Sequence, residues 1–386
     1  MINYELKRNI THAYPAIAKA LARAGRENPG QPLSFHFGLD VELRSAAVSV
    51  LIDGGETHYF NKRGRDEVVE LSRHLCAAGH HVVAAQESCG FGPYFHRDLL
   101  ESGATSYLVA PANLCGRRKT DKADAGEYAQ RSFDYEANGN TKALKPILDI
   151  GDAKREFRML ARHREQLQKA RNQLAGNGRG MMYEFGGEEA PPGWWGARKW
   201  PKLRAVLQAQ NPWLARMLDP LQGAIQGLHA RVRALEKEIL ESQERADTAQ
   251  VLPKGLGEVT AQIIYGEVAD WGRFRNRRGA GSFTGLCSGE RSSGTGRRQG
   301  GIDRRGSRRL RKQLVEAVWR MWSWNKGWRA FKKFPHVFGG KAGPATRKKA
   351  IVACARMLMI DLWRLNTGQT TLENLGLLEQ LPQAAP

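Results

Sequence analysis

The chain has 386 residues, enough for two or three domains, and its hydrophobic fraction of 41% supports packed cores, which excludes a disordered polymer. Lys and Arg number 60 against 39 Asp and Glu, a formal charge of +21, and the pI is near 10.0. An excess of that size points to a polyanion, most commonly nucleic acid, rather than to a surface kept basic for solubility alone. The five cysteines, Cys76, Cys89, Cys115, Cys287 and Cys354, form no CxxC pair, so their spacing gives neither a disulfide framework nor a zinc module and fits a reducing cytoplasm. The N-terminus carries no apolar signal core, and no run approaches the ~18–20 apolar residues of a membrane span. The expectation is a soluble cytoplasmic protein.

Residues 1–32 read as a basic, partly helical extension closed by the breaker run Asn28-Pro-Gly-Gln-Pro32. From 33 to about 150 the pattern alternates strand and helix. Strands are expected at Ser34–Asp40 and Ala46–Ile52, then a turn at Asp53-Gly54-Gly55 leading into Thr57–Phe60. A helix near 64–79 precedes the strand His81–Glu87, and a helix near 92–102 precedes Ser106–Ala110. The next helix opens at Lys119-Thr-Asp-Lys-Ala-Asp-Ala125. Antiparallel strands followed by strand–helix units suit an α/β fold of the ribonuclease H type.

Four carboxylates stand out in this segment. Asp40 and Glu87 end their strands, and Asp121 and Asp124, three apart, share a helix face. Strand tips converge on one edge of a sheet. Such charges share a pocket only when something offsets their repulsion, and hard oxygen ligands around Mg²⁺ are the usual solution. The chemistry implied is metal-assisted reaction at a phosphate.

Residues 151–250 change character. Apolar residues recur at three- and four-residue steps among charged ones, Leu160 and Leu167 first, then Leu221, Ile225, Leu228, Val232, Leu235 and Ile239. Two long amphipathic helices follow, either an antiparallel pair or a dimerising coiled coil. The connection at 174–215, rich in Gly, Pro and Trp, reads as an irregular excursion.

The segment 251–370 begins with Pro253-Lys-Gly-Leu-Gly257, a glycine turn before a helix, suited to a phosphate or simply a tight turn. A glycine-rich basic loop follows: from Arg291 to Lys312 nine residues are basic and Asp303 alone is acidic. Arg291, Arg297, Arg298, Arg304, Arg305, Arg308, Arg309 and Lys312 are its candidate nucleic-acid contacts. A serine there could act as a nucleophile, storing a broken backbone bond as a phosphoester, or could simply bind the backbone. A helix at Leu310–Trp324, a basic link at 326–349, an apolar helix at Ala350–Leu365 and a tail at 371–386 complete the chain; the tryptophans of the first helix suit a core better than a base-stacking platform.

Taken in order, Gly38-Leu-Asp40, Glu87-Ser-Cys-Gly90, Lys119–Ala125, Pro253–Gly257, Phe283-Thr-Gly-Leu286, Ser293-Gly294 and Gly306-Ser-Arg-Arg-Leu-Arg311 resemble the DEDD-type transposases of the insertion sequence 110/1111 family across roughly residues 33–365. The resemblance implies a RuvC-like domain, a coiled-coil middle and a mainly α-helical C-terminal transposase domain. It implies a DNA recombinase guided by a structured noncoding RNA, the bridge RNA, that pairs with target and donor DNA. It makes Asp40, Glu87, Asp121 and Asp124 a Mg²⁺-binding tetrad and Ser293 the nucleophile, with tetrad and serine meeting across subunits of a dimer or tetramer. Ser292 adjoins Ser293 and shares its candidacy, Ser288 is a more distant candidate, and Cys287-Ser288 stands where the family often has Pro. Two other expectations compete: a RuvC-like nuclease that cuts with metal-activated water, and a non-catalytic nucleic-acid-binding protein on a degenerate fold.

Overall fold

The computed structural model describes residues 2–90, 92–110, 120–185, 190–242, 252–293, 296–340 and 342–379, and for 290–299 the backbone alone. The chain divides into two compact units, residues 1–149 and 150–386.

The first unit is built on a five-stranded mixed sheet. Strands β1 (Ser34–Val41), β2 (Ser45–Ile52), β3 (Thr57–Gly64), β4 (His81–Glu87) and β5 (Thr105–Val109) lie in the order β3-β2-β1-β4-β5. The first three form an antiparallel meander, and β4 and β5 add in parallel. The turn from β2 to β3 places Asp53 and Gly54 at positive φ, the geometry that makes Asp-Gly a hairpin signal.

Side chains on a strand alternate between faces, and β1 sorts its residues accordingly. Phe35, Phe37 and Leu39 enter one core with Val68, Leu71 and Leu75 of α3 (Arg65–Ala77) and with Phe95 and Leu99 of α4 (Gly92–Glu101). The intervening His36, Gly38 and Asp40 belong to the opposite face, which α5 (Asp121–Glu136) covers. Residues 1–32 are more than an extension. Helices α1 (Arg8–Ala13) and α2 (Pro15–Glu27) place Ile10, Tyr14, Ile17 and Leu21 in the same core as the sheet.

In the second unit α6 (Gly151–Glu184) and α8 (Pro212–Glu241) pack against each other as an antiparallel pair: Arg164 meets Glu236, Arg171 meets His229, and Gly178 lies beside Leu221. The antiparallel pair, one of the two arrangements suggested by the periodicity, is present within the chain. The stretch 174–215 departs from the irregular excursion expected. It is mostly helical, with α6 running to Glu184 and α7 at Trp200–Gln210. Trp194 and Trp200 are buried with Met182, Leu207 and Leu218 in a small core of their own. Gly and Pro there mark two tight turns, while the tryptophans supply the apolar area that so short a segment needs.

The rest is mainly helical: α9 (Glu258–Val268), α10 (Arg277–Phe283), α11 (Arg308–Trp324), α12 (Arg329–Lys332), α13 (Pro335–Phe338), α14 (Pro344–Asn366) and α15 (Leu372–Leu375). One core joins Ile264, Leu314, Val318, Trp328, Ile351 and Leu358. The basic stretch expected as a loop contains instead a two-stranded antiparallel hairpin, β6 (Ser288–Ser293) and β7 (Gly296–Ile302). Ser, Gly and Arg have low strand propensity, so its pairing was hidden from a propensity reading.

Candidate active site

The register of the sheet and the course of α5 bring the four carboxylates to one corner. β1 and β4 run parallel with Leu39 opposite Gln86, so Asp40 and Glu87 are the next residues on neighbouring strands. Both fall on the face that α5 covers. Along α5, Ser132 meets His36, and the Ala125 carbonyl and Ala129 amide lie against Gly38. The helix therefore runs antiparallel to β1, and its first turn, with Asp121 and Asp124, lies at the level of Asp40. Gly38 makes this approach possible: a Cβ there would stand 1.8 Å from the Ala125 carbonyl oxygen.

Local chemistry holds the helix start in place. The Thr120 hydroxyl accepts from the Ala123 amide at 3.2 Å as the N-cap, and Asp121 and Asp124 sit where the helix dipole favours negative charge. Asp124 is 7% exposed, Asp40 and Glu87 are half-buried, and Asp121 is exposed. Tyr128, one turn after Asp124, donates its hydroxyl to Glu87 Oε2 at 3.3 Å. Burial, together with the charges of Asp121 and Asp40, pushes the Tyr59 phenol above its ordinary value. Tyr59 therefore sits within the field of two of the four carboxylates. Neither tyrosine was singled out from sequence, although the four-residue step from Asp124 to Tyr128 placed the latter on the same helix face.

Among the described residues no three His, Cys, Asp or Glu side chains gather closely enough to hold a metal ion. The four carboxylates share a corner, and their hard oxygen donors suit Mg²⁺ in kind. Lys119, the first residue of that motif, lies outside the described residues, as do Cys115 and Gly294.

The other candidates lie in the second unit. Ser293 is the last residue of β6, opposite Gly296, so it stands at the tip of the hairpin with Ser292 opposite Arg297 beside it. Ser288 stands at the base, opposite Ile302. The side chains of Arg291, Arg297 and Arg298, like those of both tip serines, lie outside the description. The base is tied by backbone: the Asp303 amide donates to the Cys287 carbonyl at 2.9 Å, and the Arg304 amide to that of Gly285 at 3.1 Å.

Two motifs noted in the sequence turn out to be partners there. The Arg311 guanidinium donates to the carbonyls of Arg304 and Gly306, each at 3.0 Å, and of Thr284 at 3.4 Å. Gly285 has φ +64°, and a Cβ on it would lie 2.2 Å from the Arg305 carbonyl oxygen. Phe283-Thr-Gly-Leu286 and Gly306–Arg311 thus form the clamp on which the hairpin stands.

Among the basic candidates described, Arg304, Arg305 and Arg308 are exposed. Arg309 is instead committed internally, donating to Glu165 Oε2 at 3.0 Å and Glu267 Oε1 at 2.6 Å. Lys312 divides its exposure between solvent and Glu165 Oε1 at 3.3 Å.

The carboxylate corner lies in the first unit and the basic serine hairpin in the second. Residues 253–333, which include the clamp, the hairpin and α11, match the family described as Transposase IS116/IS110/IS902. The chain is 28% identical over 246 residues, 61% of its length and 70% of the relative's, to a Pseudomonas aeruginosa protein named "Probable family 20 transposase". It is 26% identical, over 60% of its length and 64% of the relative's, to the transposase for insertion sequence element IS1111A of Coxiella burnetii. The chain is thus similar, over about three fifths of its length, to proteins named as transposases, and residues 253–333 carry the match to that family. Among the described residues no helix is long and apolar enough to cross a membrane.

Proposed function

We propose that the chain is an RNA-guided DNA recombinase of a mobile element, in which the carboxylate corner and the hairpin serine are the two halves of one reaction centre. The observation that carries this reading is the placement of Asp40 and Glu87 on neighbouring strand ends, at the level of the first turn of α5 with Asp121 and Asp124. The strand order β3-β2-β1-β4-β5, with helices on both faces, supports a RuvC-like domain.

Asp40, Glu87, Asp121 and Asp124 would be the residues to hold Mg²⁺, which would supply Lewis-acid chemistry at a phosphoryl oxygen. The Ser293 hydroxyl attacks phosphorus and gives up its proton. A Ser293–phosphate ester forms, one strand oxygen leaves, and that oxygen takes up a proton as a hydroxyl. Attack by the hydroxyl of a new strand end reverses these steps and frees the serine, so bond energy is conserved without an external source. Exposed Arg304 and Arg305, with Arg291, Arg297 and Arg298 along the hairpin, supply positive charge for DNA and for a structured guide RNA. Because one corner and one hairpin belong to each chain, a dimer or tetramer gives every corner a hairpin partner.

The test is to trap the ester. Wild-type protein with substrate DNA, guide RNA and Mg²⁺ is expected to give a denaturant-stable protein–DNA adduct that Ser293→Ala abolishes and Ser292→Ala does not. Cleavage by Ser293→Ala at the wild-type rate would replace this reading with a nuclease that uses metal-activated water.

A further inference from the structure

In the second unit a groove of about 640 Å³ runs between α6 and α11. Arg162, Gln166, Lys169 and Asn172 line it from α6, and Arg308 and Lys312 from α11. On each helix these residues fall three or four apart and so form a row on one face. From Arg162 to Asn172 the row covers ~15 Å of helix axis. That accommodates several phosphates of one strand at ~3.4 Å of axial rise each.

The acidic residues of this region are mostly already neutralised. Arg309 reaches between the helices to both Glu165 and Glu267, the Ser307 hydroxyl donates to Glu267 Oε2 at 2.7 Å, and Lys312 also contacts Glu165. Burial tends to raise the Glu165 carboxyl, yet Lys312 and Arg309 outweigh it and hold the group below its ordinary value. Glu165 therefore stays ionised and matched, adding little repulsion toward an anion. Arg162, Lys169 and Arg308 are exposed, and among the described residues they form no ion pair. Glu316, one turn beyond Lys312, is the remaining carboxylate of the lining.

We propose that this groove binds the phosphodiester backbone of a nucleic acid, with Arg162, Lys169 and Arg308 on phosphates and Gln166 and Asn172 on sugar or phosphate oxygens. Two opposed rows of cations and amides over a neutralised floor favour a polyanionic strand over a small anion, which would need convergent donors. The placement moves part of the nucleic-acid surface onto the helical pair, which was otherwise read as structural. It rests on the recombinase reading for the nature of the partner, but needs neither the serine nor the metal.

The test is fluorescence anisotropy in EDTA, where no strand chemistry occurs, with two labelled probes: a DNA duplex and an RNA hairpin. The triple variant Arg162→Gln, Lys169→Gln, Arg308→Gln is compared with wild type and with a charge-matched control on the first unit, Arg8→Gln, Lys19→Gln, Arg26→Gln, whose side chains are also exposed. The groove variant is expected to bind at least about tenfold more weakly at ~100 mM salt, and to lose about 2–3 from the slope of log Kobs against log salt, since each phosphate contact contributes ~0.9. A loss on RNA alone identifies folded RNA as the occupant, a loss on DNA alone identifies duplex DNA, and a loss on both identifies a shared backbone site. If the groove variant matches either wild type or the control on both probes, the groove proposal falls while the recombinase reading stands. Wild-type protein that binds neither probe would overturn both.

Discussion

The carboxylate corner and the serine hairpin hold the residues proposed to react in opposite ways. Asp40 and Glu87 end central strands of a five-stranded sheet, and a helix crosses β1 so closely that only a glycine fits beneath it. Ser293 ends a two-stranded ribbon whose base is tied by one arginine and a few backbone bonds. A two-stranded ribbon is marginal by itself, whereas a sheet covered on both faces is a core. The contrast fits a division of labour: metal ligands need a rigid frame, and a nucleophile that must receive and return a strand gains from a mount that can yield. Damage to the frame of the corner should therefore cost more stability than damage to the mount of the hairpin.

The largest effect should come from the groups proposed to react. Ser293→Ala is expected to lower strand exchange on the order of 10⁶-fold, the scale seen when a nucleophile is removed outright, while the melting temperature stays at the wild-type value. Asp40→Asn should lower exchange by at least about 10³-fold and also raise the Mg²⁺ concentration needed for half-maximal residual activity. Equal Mg²⁺ dependence in the two variants would remove the distinction between corner and hairpin.

Next come the two mounts. Gly38→Ala puts a methyl 1.8 Å from the Ala125 carbonyl oxygen, so α5 must shift or unfold, at about 4 kcal/mol or more. Arg311→Ala removes hydrogen bonds to three carbonyls at the hairpin base, a loss of about 2 kcal/mol. Denaturant titration should resolve both, and proteolysis should cut the Arg311→Ala protein near 285–305 while sparing residues 1–149. A Gly38→Ala protein as stable as wild type would mean that the corner is not rigidly framed.

Legibility in the sequence follows the same division. The sheet strands were readable because β2 and β4 are largely apolar runs and β1 alternates Phe35, Phe37 and Leu39 with other residues, and the carboxylates were noticed because Asp40 and Glu87 lie at strand ends and Asp121 and Asp124 at a helix start. The hairpin was not readable as strands: Ser, Gly and Arg carry almost no strand signal, and what pairs them is the clamp of Arg311 and Gly285, 26 residues apart in sequence. The fate of Arg309 was hidden for a similar reason. Its partners Glu165 and Glu267 belong to other helices, and no local pattern distinguishes a half-buried, paired guanidinium from the exposed ones beside it. Residues 1–32 looked detachable because their charge is high, yet Ile10, Tyr14, Ile17 and Leu21 form a stripe at helical spacing that the sheet core receives.

The smallest effect sharpens the comparison through pH, because a deeply buried histidine belongs to the first region. His36 lies beneath α5 on the same face of β1 as Asp40, 1% exposed. Its ring nitrogens pair with Ser34 Oγ at 2.9 Å and Ser132 Oγ at 3.2 Å. Burial pushes its pKa down to about 4, against weaker opposing pulls from Glu136 and Asp53. The folded protein keeps this ring neutral, while in the unfolded chain it binds a proton below about 6.5. Between those two values the unfolded state holds more protons, so stability rises with pH there. The contribution is complete above about 6.5 and is lost progressively as pH falls toward 4, at up to ~1.4 kcal/mol per pH unit for one such group. His80 is buried and shifted in the same direction, so His36→Gln should flatten the slope only in part. Urea midpoints for wild type and His36→Gln at pH 7.5 and 5.0 measure this: the variant is expected to be less stable at pH 7.5, and its deficit should shrink at pH 5.0. A deficit that stays constant between the two pH values would show that His36 titrates alike in the folded and unfolded chain, and the frame beneath the corner would then be wetter than its packing implies.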